Sequence, residues 1–159
     1  MIVVIGSPSG SLAVSIAFAA TGRGRMVQLV GRMSDGPAAD VVLQELARHG
    51  VGHVAVLRDP SDQPMALDGA DVELALRYLT DFDVLAVIDG GASVLEVAER
   101  AATWGGASLL VVSGEPGPAT TDRTHIAPTS GESAAAFAER VGELASSLDE
   151  AAAAVRAAR

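Results

Sequence analysis

Short runs of Val, Leu and Ile alternate along the chain with longer stretches whose apolar residues recur at helical spacing. Ile2 to Ile5, Met26 to Val30, Val54 to Leu57, Val84 to Ile88 and Leu109 to Val112 are predicted strands. They mostly lack polar alternation, as strands do when a sheet is covered on both faces. Ser11–Thr21, Pro37–His49, Asp71–Thr80 and Ser93–Trp104 lie between them and have helical length. Strand and helix in strict alternation predict a parallel sheet with right-handed crossovers. The expected architecture is a three-layer α/β/α Rossmann-like domain, doubly wound, around a mainly parallel sheet of about five strands.

The final stretch follows a different rule. From Glu132 onward Phe137, Val141, Leu144, Leu148, Ala152 and Val155 form one stripe, which predicts a long helix over about 131–158. At 1.5 Å per residue such a helix is roughly 40 Å long, more than a small domain needs. Two readings stand: the helix packs on the sheet along its length, or its far end projects to meet a second chain.

Turn chemistry agrees with these elements. Asp35 precedes Pro37 as a cap before a first-turn proline, and His49-Gly50 closes the same segment. Asp59 to Gly69 collects two prolines and several aspartates and is the stretch expected to move. A second loop runs from Gly114 to Thr124.

Composition narrows the function classes. A chain of 159 residues suits one domain, here residues 1–159, and at 3% aromatics its core must be aliphatic. A net charge of −9 repels nucleic acid and anionic membranes. No apolar run approaches the ~20 residues that cross a bilayer, and Gly6-Ser7-Pro8 ends the first apolar run too early for a signal peptide. A cytoplasmic protein is expected. Cysteine, lysine and asparagine are all absent, and each of the 11 cations is arginine. That excludes a thiolate nucleophile, a Schiff base and a phosphate-binding lysine. No cofactor or metal is expected, since His49, His53 and His125 lack ligand-like spacing.

One segment carries a resemblance. Val30 to Val51 reads VGRMSDGPAADVVLQELARHGV, and Val30-Gly31, Asp35, Leu43, Leu46 and Gly50-Val51 fall in register with an early motif of the ribokinase-like (PfkB) carbohydrate kinases. The first strand's Gly6-Ser7 ending is similar to theirs, and His125 to Thr129 with Gly131-Glu132 resembles their turn into a helix. The departures bear on activity. The loop Gly6 to Gly10 runs directly into a helix where the family inserts a substrate-contacting aspartate and a β-strand lid. The family's sugar-binding asparagine has no counterpart, and Ser34, Gly36 and Ala39 stand where it has Gly, Asp and Gly. Its anion hole and catalytic base have no assignable equivalents. The resemblance implies a ribokinase-like domain without working phosphoryl transfer.

Three places qualify as candidate sites. The loop Gly6-Ser7-Pro8-Ser9-Gly10 offers Ser7, Ser9 and Gly10 to a small anionic ligand at a helix N-terminus; its plainer reading is a tight turn. Arg32 is either a ligand-facing cation or a solvated arginine at a strand end. Asp89 ends a strand at the sheet's carboxyl edge, where it either orients a ligand hydroxyl or caps the helix near Ser93. The acidic residues from Asp59 to Asp83 read as a solvated face. Two functional expectations follow. One is a non-catalytic domain that works by self-association or with a protein partner, as a dimer or complex. The other is a binder of a nucleotide, sugar or sugar phosphate, or a residual kinase-related enzyme, using Ser7, Ser9, Arg32 and Asp89. An NADP-type oxidoreductase is disfavoured by the missing glycine fingerprint.

Overall fold

Among the described residues six strands, all parallel, form one sheet; from edge to edge they are Gly52–Asp59, Val27–Ser34, Ile2–Ile5, Val84–Ile88, Ser108–Val112 and Thr124–Ile126. The computed structural model describes residues 1–61, 63, 65–115 and 123–158. In chain order the elements are β1 (Ile2–Ile5), α1 (Ser11–Gly22), β2 (Val27–Ser34), α2 (Pro37–Arg48), β3 (Gly52–Asp59) and α3 (Gly69–Tyr78). Then come β4 (Val84–Ile88), α4 (Ala92–Gly105), β5 (Ser108–Val112), β6 (Thr124–Ile126) and α5 (Ala134–Ala157). The expected count of about five strands misses β6, a three-residue strand with no apolar run to announce it. The expected loop Gly114 to Thr124 lies mostly outside the described residues, as do Asp62 and Pro64 of the loop Asp59 to Gly69.

The two central strands, β1 and β4, are buried along their whole length, which is why they read as unbroken apolar runs. Alternate residues feed two cores. Ile2, Val4, Val84 and Ala86 face α1, α2 and α5, while Val3, Ile5, Leu85 and Val87 face α3 and α4. Small residues let α1 and α5 approach closely: a Cβ added at Gly142 would sit 2.6 Å from Ala19 Cβ. Phe137, Val141 and Ala145 of α5 are buried there, the first two being members of the predicted stripe.

The far end of α5 is exposed from Ala153 to Ala158, Val155 of the predicted stripe included, but it is tied back by side chains. The Met1 ammonium donates to Asp149 at 2.6 Å and to Asp83 at 2.7 Å, and Arg156 closes the group by pairing with Asp83. These ion pairs tie α5 at Asp149 and Arg156 to Met1 and Asp83 beside the start of β1 and β4. Asp83 is buried, so the expected solvated acidic face is wrong at this position. Among the described residues no helix is long and apolar enough to cross a membrane.

Candidate functional site

In an open parallel sheet the chain leaves neighbouring strands toward opposite faces at one point, and a crevice opens there beyond the carboxyl ends. Here that point lies between β1 and β4: β1 leads to α1 on one face, and β4 leads to α4 on the other. A cavity of about 350 Å³ occupies it. Its walls include Ser7 and Gly10 of the first loop, Arg32 of β2, and Asp89, Gly90 and Gly91 after β4. Met65, Ala66 and Leu67 line it as well. Of the sequence candidates, Ser7, Gly10, Arg32 and Asp89 come together. Ser9 does not: it is exposed and does not line the cavity.

The first loop is folded back over the sheet. Pro8 is buried against β2, and a Cβ at Gly31 would lie 2.6 Å from Pro8 Cδ and 2.3 Å from the Gly6 carbonyl oxygen. Glycine at 31 is thus what lets the loop lie on β2. The Gly10 amide donates to the Ser7 carbonyl at 3.1 Å, which turns the chain into α1.

Both helices that begin at the cavity begin bare. Gly10 caps α1 and Gly91 caps α4, neither with a side-chain hydrogen bond, and neither first turn holds an acidic residue. The opening amides of a helix have no intrahelical acceptor and carry the positive end of its dipole. Two other helices have side-chain caps, with Asp68 and Asp71 forming a reciprocal capping box on α3 and Ser133 capping α5. The helix α2 starts at Gly36 without one, so Asp35 is not its expected cap, although Asp40 stands in its first turn.

Arg32 is not the solvated strand-end residue of the plainer reading. β2 continues four residues past the expected end at Val30, so Arg32 lies inside the strand with its side chain only 16% exposed. One Nη donates to Asp71 at 2.8 Å, and the other lies 3.8 Å from Asp59, while Nε is buried without a partner among the described residues. Asp59 and Asp71 are therefore ion-paired and not part of a solvated face.

Asp89 differs from its capping reading too. Its backbone is left-handed, at φ 50°, and its amide donates to the Val112 carbonyl at 3.0 Å. The turn carries the carboxylate past the start of α4, and Gly91 takes the cap position instead. The carboxylate is exposed and makes no hydrogen bond among the described residues. Asp81, which does not line the cavity, is left-handed too at φ 63°, and aspartate tolerates this backbone better than most residues.

The formal charges can be counted. One guanidinium, Arg32, stands with three carboxylates, Asp59, Asp71 and Asp89. Two bare helix ends add about half a positive charge each. The balance is mildly negative, with the opening amides of α1 and α4 on one side and the Asp89 carboxylate on the other. Among the described residues no three His, Asp or Glu side chains gather to hold a metal ion.

Sequence reasoning missed Asp71 as a partner of Arg32, 39 positions away in the chain. The local signal was present, since Asp68-x-x-Asp71 is a capping-box spacing, but it places the start of a helix and not its partner.

No protein-family profile and no curated protein sequence matches the chain. Solved structures do. The 2-dehydro-3-deoxygluconokinase of Thermotoga maritima is 13% identical, with a TM-score of 0.58 over 72% of this chain and 51% of that one. The ATP-bound fructokinase of Xylella fastidiosa is 17% identical, with a TM-score of 0.54 over 67% and 42%. A PfkB family carbohydrate kinase from Listeria grayi is 14% identical, with a TM-score of 0.53 over 70% and 51%. The chain spans about half the length of the structures it matches. At such identities the likeness is one of architecture, and the chain has the ribokinase-like α/β fold of the PfkB-type carbohydrate kinases.

Proposed function

We propose that this chain is a small-molecule-binding domain whose ligand is a neutral, hydroxyl-rich compound, a sugar or a polyol. The observation that carries this reading is the Asp89 carboxylate, unpaired among the described residues and held in left-handed backbone on the wall of the switch-point cavity. Opposite charges favour one another, so a ligand phosphate meets an unfavourable count here: Arg32 is already neutralised by Asp71 and Asp59. A hydroxyl suits both sides, accepting from the free amides of α1 or α4 and donating to Asp89. The carbohydrate kinases that share the fold point to the same class of compound.

Titration calorimetry with sugars, polyols, their phosphates and magnesium ATP tests the reading. A neutral sugar or polyol is expected to bind, with its phosphate ester weaker. A hydrogen bond to a charged group contributes about 1.5–3 kcal/mol, so Asp89→Asn should weaken binding roughly 10- to 150-fold. Absence of binding by every neutral compound, or unchanged affinity in Asp89→Asn, would overturn it.

The other sequence expectation, a non-catalytic domain acting through self-association or with a protein partner, would use a different surface, the edge of β3 that is unpaired among the described residues, and is independent of the cavity.

A further inference from the structure

A chain of polar contacts runs from β2 to both stems of the segment that joins β3 to α3. Arg32 is its centre. One Nη donates at 2.8 Å to Asp71 Oδ1, in the first turn of α3. The other lies 3.8 Å from Oδ2 of Asp59, the last residue of β3. Each carboxylate spends its second oxygen on the backbone of the joining segment. Asp59 Oδ1 accepts from the Ser61 amide at 2.9 Å, and Asp71 Oδ2 accepts from the Asp68 amide at 3.3 Å. Between these anchor points lie Met65, Ala66 and Leu67, which wall the switch-point cavity. Asp59 and Asp71 are 17% and 15% exposed, and among the described residues Arg32 is the one cation that pairs with either.

We propose that Arg32 is a positioning residue: it holds the wall of residues 65–67 against the cavity and thereby sets the space left for a ligand. The geometry stands by itself, and its consequence for affinity rests on the sugar- or polyol-binding reading above. The side chain suits the role by its shape. A guanidinium presents several N–H donors in a fixed fork and stays charged, so one side chain can join two carboxylates. It is 16% exposed here, which leaves little water to screen these contacts. Without it, two mostly buried carboxylates would stand unpaired at the two stems and repel one another. The stems would part, and the wall between them would leave the cavity. That wall is apolar, so its place is beside the carbon-bound hydrogens of a ligand whose hydroxyls face Asp89 and the helix ends. Its departure would open that side of the ligand to water.

The absence of cysteine lets the wall be read through one introduced thiol. Leu67→Cys puts it in the wall, at a half-buried position packed against the core on the α3–α4 face. Ala145→Cys puts it in α5, fully buried on the opposite face, where labelling follows global unfolding. Arg32→Gln should speed modification of the Leu67→Cys thiol by dithionitrobenzoate roughly 10- to 150-fold, the value of one hydrogen bond to a charged group, with a smaller change in Ala145→Cys. Arg32→Lys, which keeps the charge without the fork, should fall between the parent and Arg32→Gln. Asp71→Asn loosens one stem only and should show the same selectivity, which keeps the test open if Arg32→Gln does not fold. Equal acceleration at both sites, or none at Leu67→Cys, overturns the proposal. Calorimetry with the same sugars and polyols separates the two readings. Arg32→Gln should weaken binding at least about tenfold, and unchanged affinity would overturn its role at the cavity. A parent chain that binds none of them overturns the binding reading instead, and the labelling rates still decide what Arg32 holds.

Discussion

A methyl group added at Gly142 should destabilise the protein, although helix propensity alone argues the opposite. Gly142 lies inside α5, where glycine costs about 1 kcal/mol relative to alanine, so Gly142→Ala would stabilise an exposed helix by that amount. In this fold the new Cβ would meet Ala19 Cβ at 2.6 Å and the Ala20 amide nitrogen at 3.1 Å. Carbon atoms in ordinary contact are about 3.5–4.0 Å apart, so α1 and α5 must separate by roughly 1 Å. Overpacking of this kind costs about 1–3 kcal/mol. Set against the propensity gain, the net loss is about 1 kcal/mol, and about 2 kcal/mol at most. Urea denaturation would read it as a midpoint lowered by roughly 0.3–1 M with an unchanged slope. The melting temperature should fall by about 2–4 °C per kcal/mol. Ala19→Gly removes the atom that Gly142→Ala strikes, so the double variant should recover part of the loss as a favourable coupling. A gain of about 1 kcal/mol in Gly142→Ala alone would show that the two helices do not meet as described.

Two further outcomes are expected. Asp89→Gly should relieve the left-handed backbone at residue 89, raise stability by about 0.5–1 kcal/mol in a thermal melt, and abolish sugar or polyol binding; a less stable variant would remove the strain from the account. The hydrogen bond from Arg140, followed by that from the Thr129 amide, lowers the Glu132 carboxyl to about 2 from 4.5. A folded-state value below the unfolded one means that this stabilisation is complete above about pH 4.5 and is lost as the pH falls toward 2. Melts of Glu132→Gln and the parent chain should therefore diverge as pH rises from 2 to 5, and parallel curves would refute the assignment.

Much of the sheet was legible because its central strands are buried on both faces. Ile2–Ile5 and Val84–Ile88 appear with their expected boundaries, each an uninterrupted apolar run. Legibility failed where long-range contacts decide. Gly31-Arg32-Met33-Ser34 reads as the polar exit from a strand, but β2 continues because Gly31 lies under Pro8, Met33 is buried and Arg32 meets Asp71 of α3. At Asp89 the preference of aspartate for helix caps competes with its tolerance of left-handed backbone, and the bond to Val112 on β5 settles the conflict. The bare ends of α1 and α4 were visible as glycines, but their convergence on one cavity depends on strand order. Ser9 was grouped with Ser7 by adjacency alone, and the turn over β2 separates them.

The position of β1 shapes how the chain can fold. Its two neighbours are β2, which follows after one helix, and β4, which begins roughly 80 residues after β1 ends. At 5–20 residues per second a ribosome needs about 4–16 s to supply that second neighbour. Over that interval the most apolar strand of the sheet has one flank unpaired, and the unit β1-α1-β2-α2-β3 has to shelter it. Arrival of β4 closes the gap and creates the switch point in the same event. The switch-point cavity can therefore form only after the two halves of the sheet have joined, so the sugar or polyol binding proposed for it would report completed folding.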